Sequence, residues 1–260
     1  MPEITENRRF LKTYFSDLDG ITTDSKKGLP KPPPEKQWPD TYPAIDLPVP
    51  DASVLKNGSL FSALAGRRSV RKYGGAPLSL AELSFLLWAG NGVNGRGGNG
   101  EAKRTVPSGG ASYSIEEYAI VQNVGGIENG IYHYLPLSNK LVRIKKIENL
   151  TETIDGFMLD SKQPFLPYFA RKSAVIFVWT TVPYRSEYKF DVMAHKKILI
   201  DAGHVCQNLY IASAGIDCGC CAIGIYDQDN VDALLGLDGN DEFAVYLAAV
   251  GKNERKTDSV

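Results

Sequence analysis

The sequence predicts an α+β layered fold rather than a regular βαβ winding, and three observations carry that expectation. Strand-like runs at 118–124, 131–134 and 141–144 follow one another through turns rich in Gly, Asn and Pro, as in a meander. A single long helical pattern occupies 191–214, with Ile198, Ala202, Val205, Leu209 and Ala212 at helical spacing and Gly215 ending it. Two further apolar runs, 174–182 and 243–250, read as buried core strands.

The remaining elements can be justified in order. At 260 residues the chain can bury one substantial core, as one large domain or as a domain with an appended arm. Residues 1–58 differ from the rest. Gly28-Leu29-Pro30-Lys31-Pro32-Pro33-Pro34 and the prolines from Pro39 to Pro50 impose extended backbone and exclude long helices or inner strands. A short helix is expected over 7–15. Trp38, Tyr42, Ile45 and Leu47 punctuate the proline stretch, which predicts an arm lying on a surface, a partner subunit among the candidates; a partly disordered leader is the alternative.

The main domain is expected over 59–260. A helix over 59–65 is closed by Gly66. The next helix starts at a capping box, Ser79 with Glu82, flanked by Leu78 and Leu83 at the hydrophobic-staple positions, and stops at Gly90. Gly90-Asn91-Gly92-Val93-Asn94-Gly95 matches GxGxxG literally. It is rejected as a dinucleotide fingerprint, because that motif needs a strand before it and a helix after it. A mobile loop near the active site is the expected role. A short capped helix is predicted over 227–235.

Composition excludes several function classes. Basic and acidic residues nearly cancel, 29 against 30, so no general field draws the chain to nucleic acid or anionic lipid. No apolar run approaches the roughly 20 residues of a membrane helix. The first residues lack a secretion signal, and a cytoplasmic location is expected. Cys206, Cys218, Cys220 and Cys221 are expected to be thiols rather than a disulfide frame, lining a packed strand entry. Their spacing matches neither zinc nor ferredoxin patterns, so no metal site is expected.

Two clusters carry chemistry. Arg67-Arg68-Ser69-Val70-Arg71 gathers three guanidinium groups and a hydroxyl, donors suited to a terminal phosphate; a solvated face is the alternative. Arg104-Thr105-Val106-Pro107-Ser108-Gly109-Gly110 is a glycine turn suited to close approach by a flat polar ring. On the long helix, Gln207 and Asn208 stand among apolar neighbours, one turn after His204. Core hydrogen bonds, a dimer seam and the edge of a bound planar cofactor are the alternatives for them. No Ser/His/Asp triad or HExxH motif is evident, as befits chemistry carried by a cofactor.

With Asp201-Ala202-Gly203-His204-Val205-Cys206-Gln207-Asn208-Leu209, these motifs resemble the nitroreductase superfamily, and within it the SagB-type dehydrogenase branch. The resemblance runs from about residue 60 to 251. It implies a layered α/β/α fold with a mainly antiparallel central sheet, and a homodimer binding FMN at the interface. It further implies reduction by NADH or NADPH and transfer to a small-molecule acceptor, nitroaromatic or quinone-like. Arg67, Arg68, Ser69 and Arg71 then hold the FMN phosphate, with Lys252 and Arg255 as a second grip. Arg104, Pro107, Ser108 and Gly109 border the ring, Gln207 is a further flavin-edge candidate, and Gly224 offers a backbone N–H to N5. Azoline-oxidising members carry Lys-Tyr after Ser-Glu. Here Ser186-Glu187-Tyr188-Lys189 has the reverse order, which speaks against azoline oxidation and leaves Tyr188 and Lys189 as substrate-side candidates. A peptide-modifying azoline dehydrogenase and a non-catalytic flavin-binding redox sensor built on the cysteines remain the alternatives.

Overall fold

The computed structural model describes residues 4–98, 100–158 and 168–254. In chain order its elements are α1 (Ile4–Phe10), β1 (Ala44–Asp46), α2 (Leu60–Gly66), α3 (Leu80–Asn91), β2 (Val93–Arg96), β3 (Ala102–Arg104), β4 (Ile115–Val121) and β5 (Gly130–Leu135). They continue as β6 (Lys140–Lys146), α4 (Leu150–Met158), β7 (Val175–Thr181), α5 (Tyr184–Phe190), α6 (Ala194–Gly215), β8 (Cys218–Ile223), α7 (Gln228–Leu235) and β9 (Phe243–Lys252). Among the described residues the main sheet runs β1-β6-β5-β4-β7-β9-β8, and every neighbouring pair is antiparallel.

Strand alternation builds two cores, because successive side chains point to opposite faces. From β7, Val175, Phe177 and Trp179 meet Leu83, Leu86 and Leu87 of α3 and Val205 and Leu209 of α6. Ile176 and Val178 point the other way, to Ile154 and Phe157 of α4 and Val231 and Leu235 of α7. A layered α/β/α arrangement with an antiparallel sheet results, as expected. Each of these large side chains contributes roughly 1.5–3 kcal/mol by leaving water.

Local signals place the helix starts. The Ser79 hydroxyl accepts from Glu82 N at 3.2 Å and a Glu82 carboxylate oxygen accepts from Ser79 N at 2.9 Å, with Leu78 and Leu83 fully buried beside them. Asp227 caps α7 through Asn230 N, and Gly236 ends it with φ 72°.

Several elements differ from expectation. Helix α3 continues through Gly90 to Asn91. Gly90 is needed there for close approach, since a Cβ on it would lie 2.8 Å from Glu117 Oε1. The GxGxxG stretch ends α3 and folds into the hairpin β2–β3. The first helix sits at Ile4–Phe10 rather than over 7–15. The strand expected at 118–124 begins earlier, at Ile115, so two glutamates enter the sheet. The small residues of β8 pair fully with β9, from Cys218–Lys252 to Ile223–Leu247, burial overriding weak strand propensity.

The proline-rich arm lies on its own chain. Ser25 N donates to Tyr188 O at 2.9 Å, Tyr188 donates its hydroxyl proton to Leu29 O at 2.8 Å, and Trp38 Nε1 donates to His133 Nδ1 at 2.7 Å. Ala44–Asp46 then adds the edge strand β1, with Pro43 and Pro48 outside its ends. No helix of the described residues is long and apolar enough to cross a membrane.

Candidate functional site

The Arg67–Arg71 segment runs along the free edge of β8, where Ser69 bridges Cys220 and Val70 N donates to Cys220 O at 2.9 Å. Tyr210 of α6 organises this corner. Its hydroxyl accepts from Ala222 N at 2.8 Å and shares a hydrogen bond with Ser69 Oγ at 3.0 Å, and the Arg67 guanidinium lies 5.3 Å from its ring centroid. Arg71 lies over the Phe169 ring at 5.8 Å, while Arg68 turns back to the carbonyls of Ala65 and Arg67 at 3.0 and 2.7 Å. Among the described residues none of the three guanidiniums forms a salt bridge. Three cations and a hydroxyl without a carboxylate to neutralise them fit a phosphate dianion.

The glycine turn is fastened to α6 at another point. Ser108 donates its hydroxyl proton to Asp201 Oδ2 at 2.6 Å, Gly109 N donates to the same carboxylate at 3.2 Å, and Tyr113 N donates to Ser108 Oγ at 3.0 Å. Burial pushes the Asp201 carboxyl up, against the pull of the Ser108 and Gly109 hydrogen bonds. The polar atoms of Ser108 and Gly109 therefore hold the turn in shape, leaving Pro107 and Gly110 exposed. Immediately after it, Gly110, Ala111 and Tyr113 take φ of 60°, 51° and 46°. Left-handed backbone at a glycine is cheap, but at Ala111 and Tyr113 it is strained.

Asp201 and Tyr210 stand nine residues apart on α6, which is two and a half turns and about 13.5 Å along the axis. The guanidinium cluster and the glycine turn of one chain thus lie against opposite faces of the same helix.

Arg104 is buried, 8% exposed, and donates to Asn91 O at 2.9 Å and Pro34 O at 3.2 Å. It ties β3 to the arm. Gln207 and His204 face outward, whereas Asn208 donates to Ala89 O at 3.0 Å and so makes the core hydrogen bond. Gly224 is exposed just past β8. Lys252 pairs with Glu82 at the start of α3, and Arg255 lies outside the described residues.

Tyr188 and Lys189 line a cleft of about 430 Å³ between α5, the β2–β3 hairpin, the arm and the segment after the glycine turn. Lys189 Nζ donates to Gly110 O at 2.6 Å. Beneath the cleft Arg185 donates to Glu116 Oε1 at 2.6 Å, and His133 Nε2 lies 3.0 Å from Glu116 Oε2. Because Trp38 can only donate, His133 Nδ1 accepts and its proton sits on Nε2. Burial alone would raise the Glu116 carboxyl, yet His133 and Arg185 hold it down to about 2. Tyr210, Arg185 and Glu116 carry no local sequence signal, and Asp201 stands in the sequence only as the first residue of the motif at 201–209.

The four cysteines are free and buried. Burial pushes the Cys206 and Cys218 thiols up to about 12, against reactivity as thiolates. Among the described residues no group of three or more His, Cys, Asp or Glu side chains could hold a metal.

An antiparallel sheet between helical layers, with a guanidinium cluster at one sheet edge, defines the class, and comparison with known proteins specifies it. The family model "Nitroreductase family" matches residues 64–252, and the chain belongs to that family. A Methanocaldococcus jannaschii protein bearing a nitroreductase name is 29% identical over 208 residues, covering 80% of this chain and 96% of its own. The Escherichia coli microcin B17-processing protein McbC is 29% identical over 120 residues, 44% of this chain and 41% of its own. Among solved structures, one from Ralstonia eutropha carrying a nitroreductase name superposes with TM-score 0.64 at 24% identity, over 85% of this chain and 94% of that one. The E. coli microcin synthetase McbBCD complex superposes with TM-score 0.59 at 18% identity, over 96% of this chain and 91% of that one.

Proposed function

We propose that this chain is an FMN-dependent, homodimeric oxidoreductase that takes a hydride from NADH or NADPH and delivers it to a small-molecule acceptor, nitroaromatic or quinone-like. The observation that carries the reading is the cluster of Arg67 and Ser69 at Tyr210 with Arg71 over Phe169, with no carboxylate paired to its guanidiniums among the described residues. Arg68, a neighbouring donor, completes it. FMN, when bound, supplies the site that accepts and returns the hydride.

The chain's own residues then bind and orient. The guanidiniums would neutralise the phosphate, exposed Gly224 would offer its backbone N–H to the ring, and Gln207 faces the same outer side of α6 as Leu199 and Ile200. Arg104, buried behind the turn, acts by position and charge. Pro107 and the backbone of the turn, shaped by Ser108, Gly109 and Asp201, border the ring. Tyr188 and Lys189 stand on the substrate side, and Lys252, which pairs with Glu82, is the candidate second grip on the phosphate.

A dimer is supported by two features. The cluster and the turn occupy opposite faces of α6, so one FMN touching both takes them from two subunits. Exposed Leu60, Phe61 and Leu64 of α2 and Leu199 and Ile200 of α6 form apolar surface suited to a partner. Residues 1–58 act as an arm over the domain formed by 59–260. We place the protein in the cytoplasm, where thiols stay reduced.

The microcin- and trifolitoxin-processing relatives favour a second reading, oxidation of azoline rings in a modified peptide. The Tyr188-Lys189 order, and the Tyr188 hydroxyl already bound to Leu29 O, weigh against it.

The test is the absorbance spectrum of the purified protein before and after anaerobic NADH or NADPH, alongside the double variant Arg67→Glu with Arg71→Glu. Flavin bands that bleach in the wild type and are missing from the variant are expected. Full flavin occupancy in the variant would overturn the phosphate assignment.

A further inference from the structure

The cleft between the arm and α5 carries more positive charge than its walls neutralise. Lys31 pairs with Glu101, Arg185 pairs with Glu116, and Arg104 has buried Glu35 and Glu116 within electrostatic reach. That leaves two cations. Arg96 donates to Gly100 O at 3.1 Å and Lys189 to Gly110 O at 2.6 Å, and neither forms an ion pair among the described residues. They approach the cleft from opposite walls, one on β2 and the other on α5.

Two buried polar atoms of lining residues, Ser112 Oγ after the glycine turn and Arg185 Nε on α5, have no hydrogen-bond partner among the described residues. A buried donor left without a partner costs on the order of 1–3 kcal/mol, so such atoms mark places where an acceptor belongs. Ser112 sits between Ala111 and Tyr113, the two strained residues, so the orphan hydroxyl is held where relaxed backbone would not hold it. The rest of the lining is flat and apolar: the Tyr113 and Tyr188 rings, Pro32 to Pro34 and Leu137.

From this arrangement we infer that the cleft is a binding site for small aromatic carboxylates. The ring would lie between the tyrosines and the proline wall, and the carboxylate would meet Arg96 and Lys189. The inference deepens the proposed function, since it names the chemical class of acceptor. The arm builds one wall, so a domain lacking residues 31–34 would lack the site.

The test is calorimetric titration of the full-length protein, saturated with FMN, with 4-nitrobenzoate and its neutral near-isostere 4-nitrobenzamide. The benzoate is expected to bind at least tenfold more tightly, with the ratio shrinking as salt rises. In the double variant Arg96→Gln with Lys189→Gln, the first residue exposed and the second half-buried, the ratio should fall toward one. Equal affinity for the two ligands, or an unchanged ratio in the double variant, overturns the inference. The absorbance spectrum of the same samples reports flavin uptake separately. A protein that takes up no FMN yet still prefers the benzoate refutes the flavin reading and keeps this one.

Discussion

Glu116 and Glu117 are neighbours on β4, point to opposite faces of the sheet, and ionise in opposite directions. Glu116 meets Arg185 at 2.6 Å and His133 at 3.0 Å and is held at about 2. Glu117 receives one hydrogen bond, from Trp179 Nε1 at 3.1 Å, its Oε2 has no partner among the described residues, and burial lifts it to about 8. One step along a strand separates a charged network from an apolar core.

The raised Glu117 has a definite consequence for pH. The unfolded chain releases this proton near the ordinary glutamate value while the folded chain keeps it to about 8. Stability from this group is complete below the ordinary value and falls as pH rises toward 8, by up to about 1.4 kcal/mol per unit. Urea unfolding at pH 5, 6.5 and 8 should show a flatter decline in Glu117→Gln than in the wild type. Parallel curves would show that Glu117 is ionised in the folded protein.

Glu116 works with the opposite sign, stabilising above the ordinary glutamate value and losing that contribution as pH falls toward 2. Glu116→Gln leaves the Arg185 guanidinium buried without its counter-ion. A loss of roughly 3–5 kcal/mol in chemical unfolding at neutral pH is expected. A change below 1 kcal/mol would mean that Arg185 finds another partner.

Tyr210→Phe removes the hydroxyl that joins Ser69 to Ala222 N. About 1 kcal/mol of hydrogen bonding is lost at the corner that holds Arg67. FMN affinity, read by fluorescence quenching, should weaken about fivefold or more while the unfolding midpoint moves little. Unchanged affinity would separate Tyr210 from the phosphate corner.

Asp201 holds the glycine turn through Ser108 and Gly109. Asp201→Ala should speed hydrogen exchange at the Gly109 amide and cost about 1–3 kcal/mol of stability. Asp201→Asn keeps an acceptor oxygen and should lose less. Equal behaviour of the two variants would show that the turn keeps its shape without this side chain.

Much of the architecture was legible in the residues because its signals are local. The Ser79–Glu82 capping box, the apolar spacing of 198–212 and the buried run of β7 each specify an element within a few residues of itself. By themselves they determined the layered class and, with the motifs at 67–71, 104–110 and 201–209, the family resemblance. Other features depend on distant partners. Gly90 continues a helix because Glu117 lies against it, β8 becomes a strand because β9 pairs with it, and the prolines of the arm wall a cleft because Tyr188, Arg104 and Trp38 fasten them there. No short window encodes those contacts. Only the tertiary structure decided which of two adjacent glutamates is charged, which arginines are neutralised, and that the guanidinium cluster and the glycine turn fall on opposite faces of α6, because burial and electrostatics depend on what the folded chain brings alongside.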